Sequence, residues 1–291
     1  MKTRAVTFLV LVCATVGFVI GFTSCSKLKS DLPIAATGEL AVHPDGWASP
    51  SSGANFHGMA IRNAGWDMRP CKVCHGNNYD GGTSGVSCLT CHTAAAGPEN
   101  CSTCHGSATS TAPPPDLEGN TATTARGVGG HQFHLMGSTA SAAYTCAECH
   151  NIPGGVYATG HIVGTQAQVV MGNYLANLET NASGTPVIPN PTYDPVTGTC
   201  SGTYCHGAFK NGNTSNTVTW TDSTSAACGT CHGNPNGATL ALKALPGGTH
   251  EQSNTQCSTC HGGVVNASLG FTNPSKHGDG KLNLNGQDKP F

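Results

Sequence analysis

Charge and aromatic surface are both scarce in this chain: only 10% of its 291 residues are Asp, Glu, Lys or Arg, and only 6% are Phe, Trp or Tyr. With 37% hydrophobic residues overall, side-chain bulk is too small for the one or two ordinary cores that a chain of this length builds. The 13 Lys and Arg form no run and the formal charge is -2, so the basic footprint of a nucleic-acid partner is missing. After residue 24 no apolar stretch is long enough to cross a bilayer. Long amphipathic periodicity and sustained strand alternation are missing as well. What the chain has in quantity is Gly (39), Pro (17), Cys (16) and His (14). Something other than side chains is expected to fill the interior.

The N-terminus reads as an export signal. Lys2 and Arg4 precede an uncharged apolar stretch from Ala5 to Phe22, followed by small residues and the polar Ser26-Lys27-Leu28-Lys29. An uncleaved anchor is the competing reading. Phe22-Thr23-Ser24-Cys25 resembles a bacterial lipobox, with Phe22 where Leu is usual. That resemblance makes Cys25 a lipidated first residue of the exported chain, while Cys13 is a small hydrophobe in the discarded segment. Export places the remaining cysteines in an oxidising compartment.

Those 14 cysteines all belong to short pairs that end in histidine. Six are CxxCH: Cys71, Cys74, His75; Cys88, Cys91, His92; Cys101, Cys104, His105; Cys146, Cys149, His150; Cys228, Cys231, His232; and Cys257, Cys260, His261. The seventh, Cys200 to His206, has four residues between Cys200 and Cys205. In a c-type attachment site two thiols form thioethers to one haem and the adjacent histidine takes the proximal side of the iron. A zinc ribbon pairs CxxC units without needing a histidine after each one, and disulfides ignore the histidine too. The pattern therefore predicts seven covalently bound haem c groups. The longer spacer has to bulge to keep both sulfurs at one macrocycle edge.

Seven histidines remain: His43, His57, His131, His134, His161, His250 and His277. They match the number of distal positions. A bis-histidine iron is six-coordinate and suited to electron transfer, not to binding substrate. Small neighbours at His57, His161 and His277 let a backbone approach a flat ring, and the spacing of His131 and His134 puts two imidazoles on one face of a helical turn. Met59, Met68, Met136 and Met171 are the other available axial ligands, read here as packing residues. Trp47, Trp66 and Trp220 are read as packing residues too.

With about 38 residues of exported chain per site, neighbouring haems must share walls. The expected fold is mostly irregular and haem-cored, with short helices around the CxxCH sites, long loops and a possible small hairpin in Val163 to Thr199. The expected organisation is a signal peptide (1-24), a tether (25-50), a three-haem block (51-107), a Pro/Thr-rich connector (108-125) and a four-haem block (126-291). Haem propionates make the loaded protein more acidic than the polypeptide, favouring a cationic surface or a basic partner.

Phe56-His57-Gly58, the runs Cys71 to Gly76 and Ser87 to His92, His131-Gln132-Phe133-His134, Gly160-His161, Cys200 to Gly207, Trp220, Cys228 to Gly233 and Lys276 to Gly280 together resemble the multihaem c-type cytochrome lipoproteins of metal-reducing deltaproteobacteria that mix CxxxxCH with CxxCH sites. Asn234-Pro235-Asn236 departs from the family, which often has two prolines there. The resemblance implies closely stacked bis-histidine haems, with His57, His131, His134, His161 and His277 as distal ligands, and an electron-transfer role across or beyond the outer membrane. The partners it implies are other redox proteins or extracellular acceptors such as metal oxides, with the outer membrane reached through the lipid anchor. Two alternatives differ in class. A reductase of a small oxyanion such as nitrite needs one open iron, often marked by CxxCK, which does not occur. A homopolymeric cytochrome filament needs no feature the chain lacks.

Overall fold

Backbone order comes in pieces of one or two turns. The protein is described here from a computed structural model covering residues 42–290 except 165, 172–173, 181–183 and 249. The expected signal segment, Cys25 and most of the tether lie outside the described residues. The chain divides between Asp67 and Met68 into two compact units.

The first unit holds a 3-10 segment, Pro50–Asn55, and the longest described helix, α1 (His57–Asn63). In the second, four of the helices are α2 (Lys72–His75), α3 (Cys101–Cys104), α4 (His131–Leu135) and α6 (Ser258–His261), each built on a Cys-His site or a histidine pair. The other, α5 (Leu240–Ala244), carries neither. Side-chain caps fix several starts: Asn100 accepts from the Ser102 amide at 2.9 Å before α3, and Thr239 from the Leu242 amide at 3.2 Å before α5. Helices this short do not persist alone in water and depend on what they pack against.

Strands are equally brief. β1 (Thr192–Asp194), β2 (Thr199–Ser201) and β3 (Thr217–Thr219) form an antiparallel sheet in that order, with Tyr193 opposite Cys200 and Cys200 opposite Val218. The β1–β2 hairpin falls at the C-terminal edge of the segment where one was expected. A second hairpin joins β4 (Lys281–Leu284) to β5 (Gln287–Pro290) through Asn285-Gly286, both at positive φ. Asn-Gly between pairing strands is the strongest short-range hairpin signal in a sequence.

Among the described residues the buried hydrophobic side chains number only eight, from Met68 to Val264, and two of them are alanines. A mostly irregular chain with short helices, small sheets and very little apolar interior matches the expected fold class.

Candidate haem sites

A CxxCH segment wound into one helical turn brings its two thiols to the same side. That winding is visible in the backbone: the amides of His92, His105, His150 and His261 donate to the carbonyls of Cys88, Cys101, Cys146 and Cys257 at 2.8–2.9 Å. Each bond spans four residues, so each histidine leaves its turn beside the first cysteine. Cys200 to His206 solves the longer spacing differently. Cys200 stays in β2, the chain bends at Gly202 (φ +65), and a separate 3-10 turn, Tyr204–His206, delivers Cys205 and His206. A Cβ at Gly202 would stand 2.3 Å from the Asn190 carbonyl oxygen. The extra residues are thus absorbed as a bulge between strand and turn, as the spacing required.

None of these fourteen cysteines is joined to another in a disulfide. Burial first, then Glu148 and neighbouring thiols, pushes Cys205 up to about 12, and burial raises Cys149 and Cys200 to about 11. Among the described residues no cluster of three or more His, Cys, Asp or Glu side chains converges as a zinc ribbon demands.

The histidines converge in twos. His105 and His161 have ring centroids 6.0 Å apart, His131 and His150 6.2 Å, His134 and His206 6.0 Å, His232 and His277 6.3 Å, and His250 and His261 6.3 Å. Every pair joins one histidine that follows a cysteine to one that does not. Two metal–nitrogen bonds of about 2 Å, plus about 1 Å from each nitrogen to its ring centre, separate the centroids of a trans pair by about 6 Å. The pairs are therefore spaced as two imidazoles that held one haem iron would be.

A second regularity concerns the opposite ring nitrogen. Nδ1 contacts a backbone carbonyl in His57 (Trp47, 2.9 Å), His75 (Val86, 2.9 Å), His131 (Val128, 2.8 Å), His134 (Gly130, 2.8 Å) and His150 (Gln168, 2.7 Å). The same holds for His161 (Val156, 2.9 Å), His232 (Ala244, 2.8 Å), His250 (Glu251, 3.1 Å), His261 (Asn283, 2.7 Å) and His277 (Ala140, 2.5 Å). A carbonyl only accepts, so each Nδ1 carries the proton and each Nε2 keeps its lone pair for a metal, as metal-ligating histidines are normally set. Burial and the facing imidazole lower His105 and bring His206 down to about 4, and burial is also the main cause lowering His131 and His232. Neutral imidazole is the ligating form.

His43 and His57 stand in the first unit around Trp47. Its indole stacks on His43 at 4.3 Å and 5°, and its carbonyl receives both the amide and Nδ1 of His57, at 2.8 and 2.9 Å. In the second unit a polar knot ties the first three attachment segments together. Glu99 accepts from Lys72 Nζ at 2.9 Å and from Tyr79 Oη at 2.8 Å, while the Tyr79 carbonyl receives the amide of Cys88 at 3.0 Å. A cavity of about 600 Å³ lies beside it, lined by Lys72, Tyr79, Leu89, His92, Gly97 and Glu99 among others.

The roles of Trp47, Tyr79 and the β4–β5 hairpin were not expected. Asn283 of β4 orients His261, and the Asn285 amide bonds the Cys260 carbonyl at 2.7 Å. The Asn285-Gly286 turn was the signal for that hairpin. Of the methionines considered, Met68 is buried, its amide bonded to Tyr157 Oη at 3.2 Å, and Met136 is 75% exposed.

No characterised protein and no solved structure matches the chain. The family model of the Geobacter CxxxxCH...CXXCH motif matches residues 199–232, the stretch that runs from β2 through Cys200, Cys205 and His206 to Cys228, Cys231 and His232. This segment is a multihaem c-type cytochrome-like motif, and it supports covalently bound haem c and an electron-transfer role for the chain.

Proposed function

We propose that the chain is a seven-haem c-type cytochrome that relays electrons through closely packed bis-histidine haems and has no bond-making chemistry of its own. The observation that carries this reading is the set of five facing imidazole pairs, each joining a Cys-bound proximal histidine to a second histidine at the separation one iron requires. The ligand pairs are then His105 with His161, His150 with His131, His206 with His134, His232 with His277, and His261 with His250. His75 and His92 complete the proximal set, and His43 and His57 are taken as further distal ligands. The count of seven rests on the seven Cys-His sites.

Bound haem supplies an iron that takes up and gives back one electron. The protein holds that iron's surroundings still. The fourteen cysteines would hold the haems as thioethers, the carbonyl bonds at Nδ1 fix tautomer and ring direction, and the paired imidazoles would leave small molecules no open position at the iron. The export signal and Cys25 support placement as an outer-membrane lipoprotein, on its periplasmic or cell-surface face. Redox proteins or extracellular acceptors such as metal oxides are the partners this chemistry fits.

Haem quantification with low-temperature EPR of the fully oxidised protein tests the reading. Seven haems, all low-spin, are expected. A high-spin signal equal to one haem in seven would turn the search to small-molecule reduction at that iron, and ordered fibres in electron micrographs of native material would favour a filament subunit.

A further inference from the structure

We propose that Trp220 is a positioning residue for two axial imidazoles at once: it sets the ring orientations of His131 and His134 and thereby couples the two haems they serve, those of His150 and His206. The inference rests on the bis-histidine reading above.

The Trp220 ring meets His131 edge-on, at 4.8 Å and 89°, and lies over His134 at 5.6 Å and 26°. Both are aromatic contact geometries with real orientation preference. The two imidazoles face different proximal histidines, so one indole touches the ligands of two irons. Nothing about this arrangement is loose. The indole Nε1 donates to the Arg126 carbonyl at 2.8 Å, and the Trp220 amide donates to the Gly198 carbonyl at 2.8 Å. The Arg126 guanidinium is itself bound to the carbonyls of Pro195 and Val196 in the β1–β2 turn.

Glycines make the approach possible. A Cβ at Gly129, where φ is +42, would stand 1.9 Å from the indole Nε1, and one at Gly130 would stand 3.3 Å from the far edge of the ring. The backbone that supplies the Nδ1 acceptors, Val128 and Gly130, is therefore pressed against the same indole. Nδ1 bonding fixes the tautomer and one end of each imidazole. The indole blocks the remaining swing of the ring plane, and the angle of an axial ring tunes the iron it binds. The first unit repeats the device independently, with the Trp47 ring 4.3 Å from that of His43 and 6.3 Å from that of His57.

The test compares Trp220→Leu, Trp220→Phe and Gly129→Ala with the parent, all as haem-loaded protein, by low-temperature EPR with haem counted on each sample. Trp220→Leu is expected to retain seven haems, remain low-spin and shift signals that integrate to two haems of the seven. Trp220→Phe, which keeps an aromatic face without the Nε1 bond, moves the same two signals less, and Gly129→Ala moves them by displacing the indole. An unmoved spectrum in Trp220→Leu overturns the proposal, as does a shift spread over all the haems, or haem loss in both Trp220 variants. A parent protein already high-spin at one iron would break the bis-histidine reading by itself. A wholly low-spin parent with an unmoved Trp220→Leu spectrum would break only the role of Trp220.

Discussion

Tyr79 donates a 2.8 Å hydrogen bond to Glu99 from a position where only 4% of the tyrosine is exposed. Glu99 lies two residues before Cys101, and the Tyr79 carbonyl holds the turn that begins at Cys88, so this one bond braces two attachment segments. Lys72, inside a third, bonds the same carboxylate and places its ammonium 4.8 Å from the Tyr79 ring centre. Hydrogen bonds to charged groups contribute about 1.5–3 kcal/mol each. Tyr79→Phe removes one of them without opening a cavity. A loss of about 1–3 kcal/mol is expected, read as a lower denaturant midpoint at unchanged slope.

The same carboxylate makes acid stability measurable. Burial alone would raise the Glu99 carboxyl, but the bonds from Lys72 and Tyr79 outweigh it and hold the group below its ordinary 4.5. A carboxyl that is lower in the folded than in the unfolded chain stabilises fully above its unfolded value, and that contribution fades as pH falls through the folded value. Urea midpoints taken from about pH 6 down to about pH 3 should therefore fall more steeply in the parent than in Glu99→Gln. Parallel curves would show that the carboxylate contributes nothing.

Removing a distal ligand should affect one iron alone. In His161→Ala the haem of His105 loses its second imidazole, and one haem in seven is expected to turn high-spin while the rest are unchanged. His250→Ala should do the same to the haem of His261. Added imidazole restores the low-spin spectrum in both, because the cavity left by the side chain matches the free ring. A high-spin signal of two haems in either variant would mean the pairs are assigned wrongly.

Gly202 offers a test of the longer spacer. With φ at +65 and the Asn190 carbonyl 2.3 Å from where a Cβ would stand, no β-branched residue fits. Gly202→Val should move Cys200 relative to Cys205, and intact mass should show a population short of one haem. An unchanged mass and spectrum would mean that the spacer bulges elsewhere.

The CxxCH segments were legible because their pattern is local: in four of them the histidine amide bonds the carbonyl of the first cysteine within one turn, while Cys200 and His206 are split between a strand and a separate turn. The paucity of regular structure was legible for a related reason, since composition alone showed too little apolar bulk to build ordinary layers. The ligand pairs were not. His277 reaches the Ala140 carbonyl across 137 residues, and no periodicity records a contact of that span. Trp220 illustrates the same limit. Its residue type suggests packing, but that it packs on two ligand rings depends on Arg126, Gly129 and Gly198, which come from distant segments. The Asn285-Gly286 turn is the opposite case, a local signal sufficient to place a hairpin whose use, aiming His261, is visible only in three dimensions.

Eight buried hydrophobic side chains among the described residues make a small apolar interior for a chain of this length. If haem supplies the missing interior, attachment would come first and folding second. Compaction would then proceed as macrocycles are added to the Cys-His sites. On that reading, scarcity of haem during synthesis would leave open chains exposed to proteolysis, and the amount of intact protein would follow haem supply.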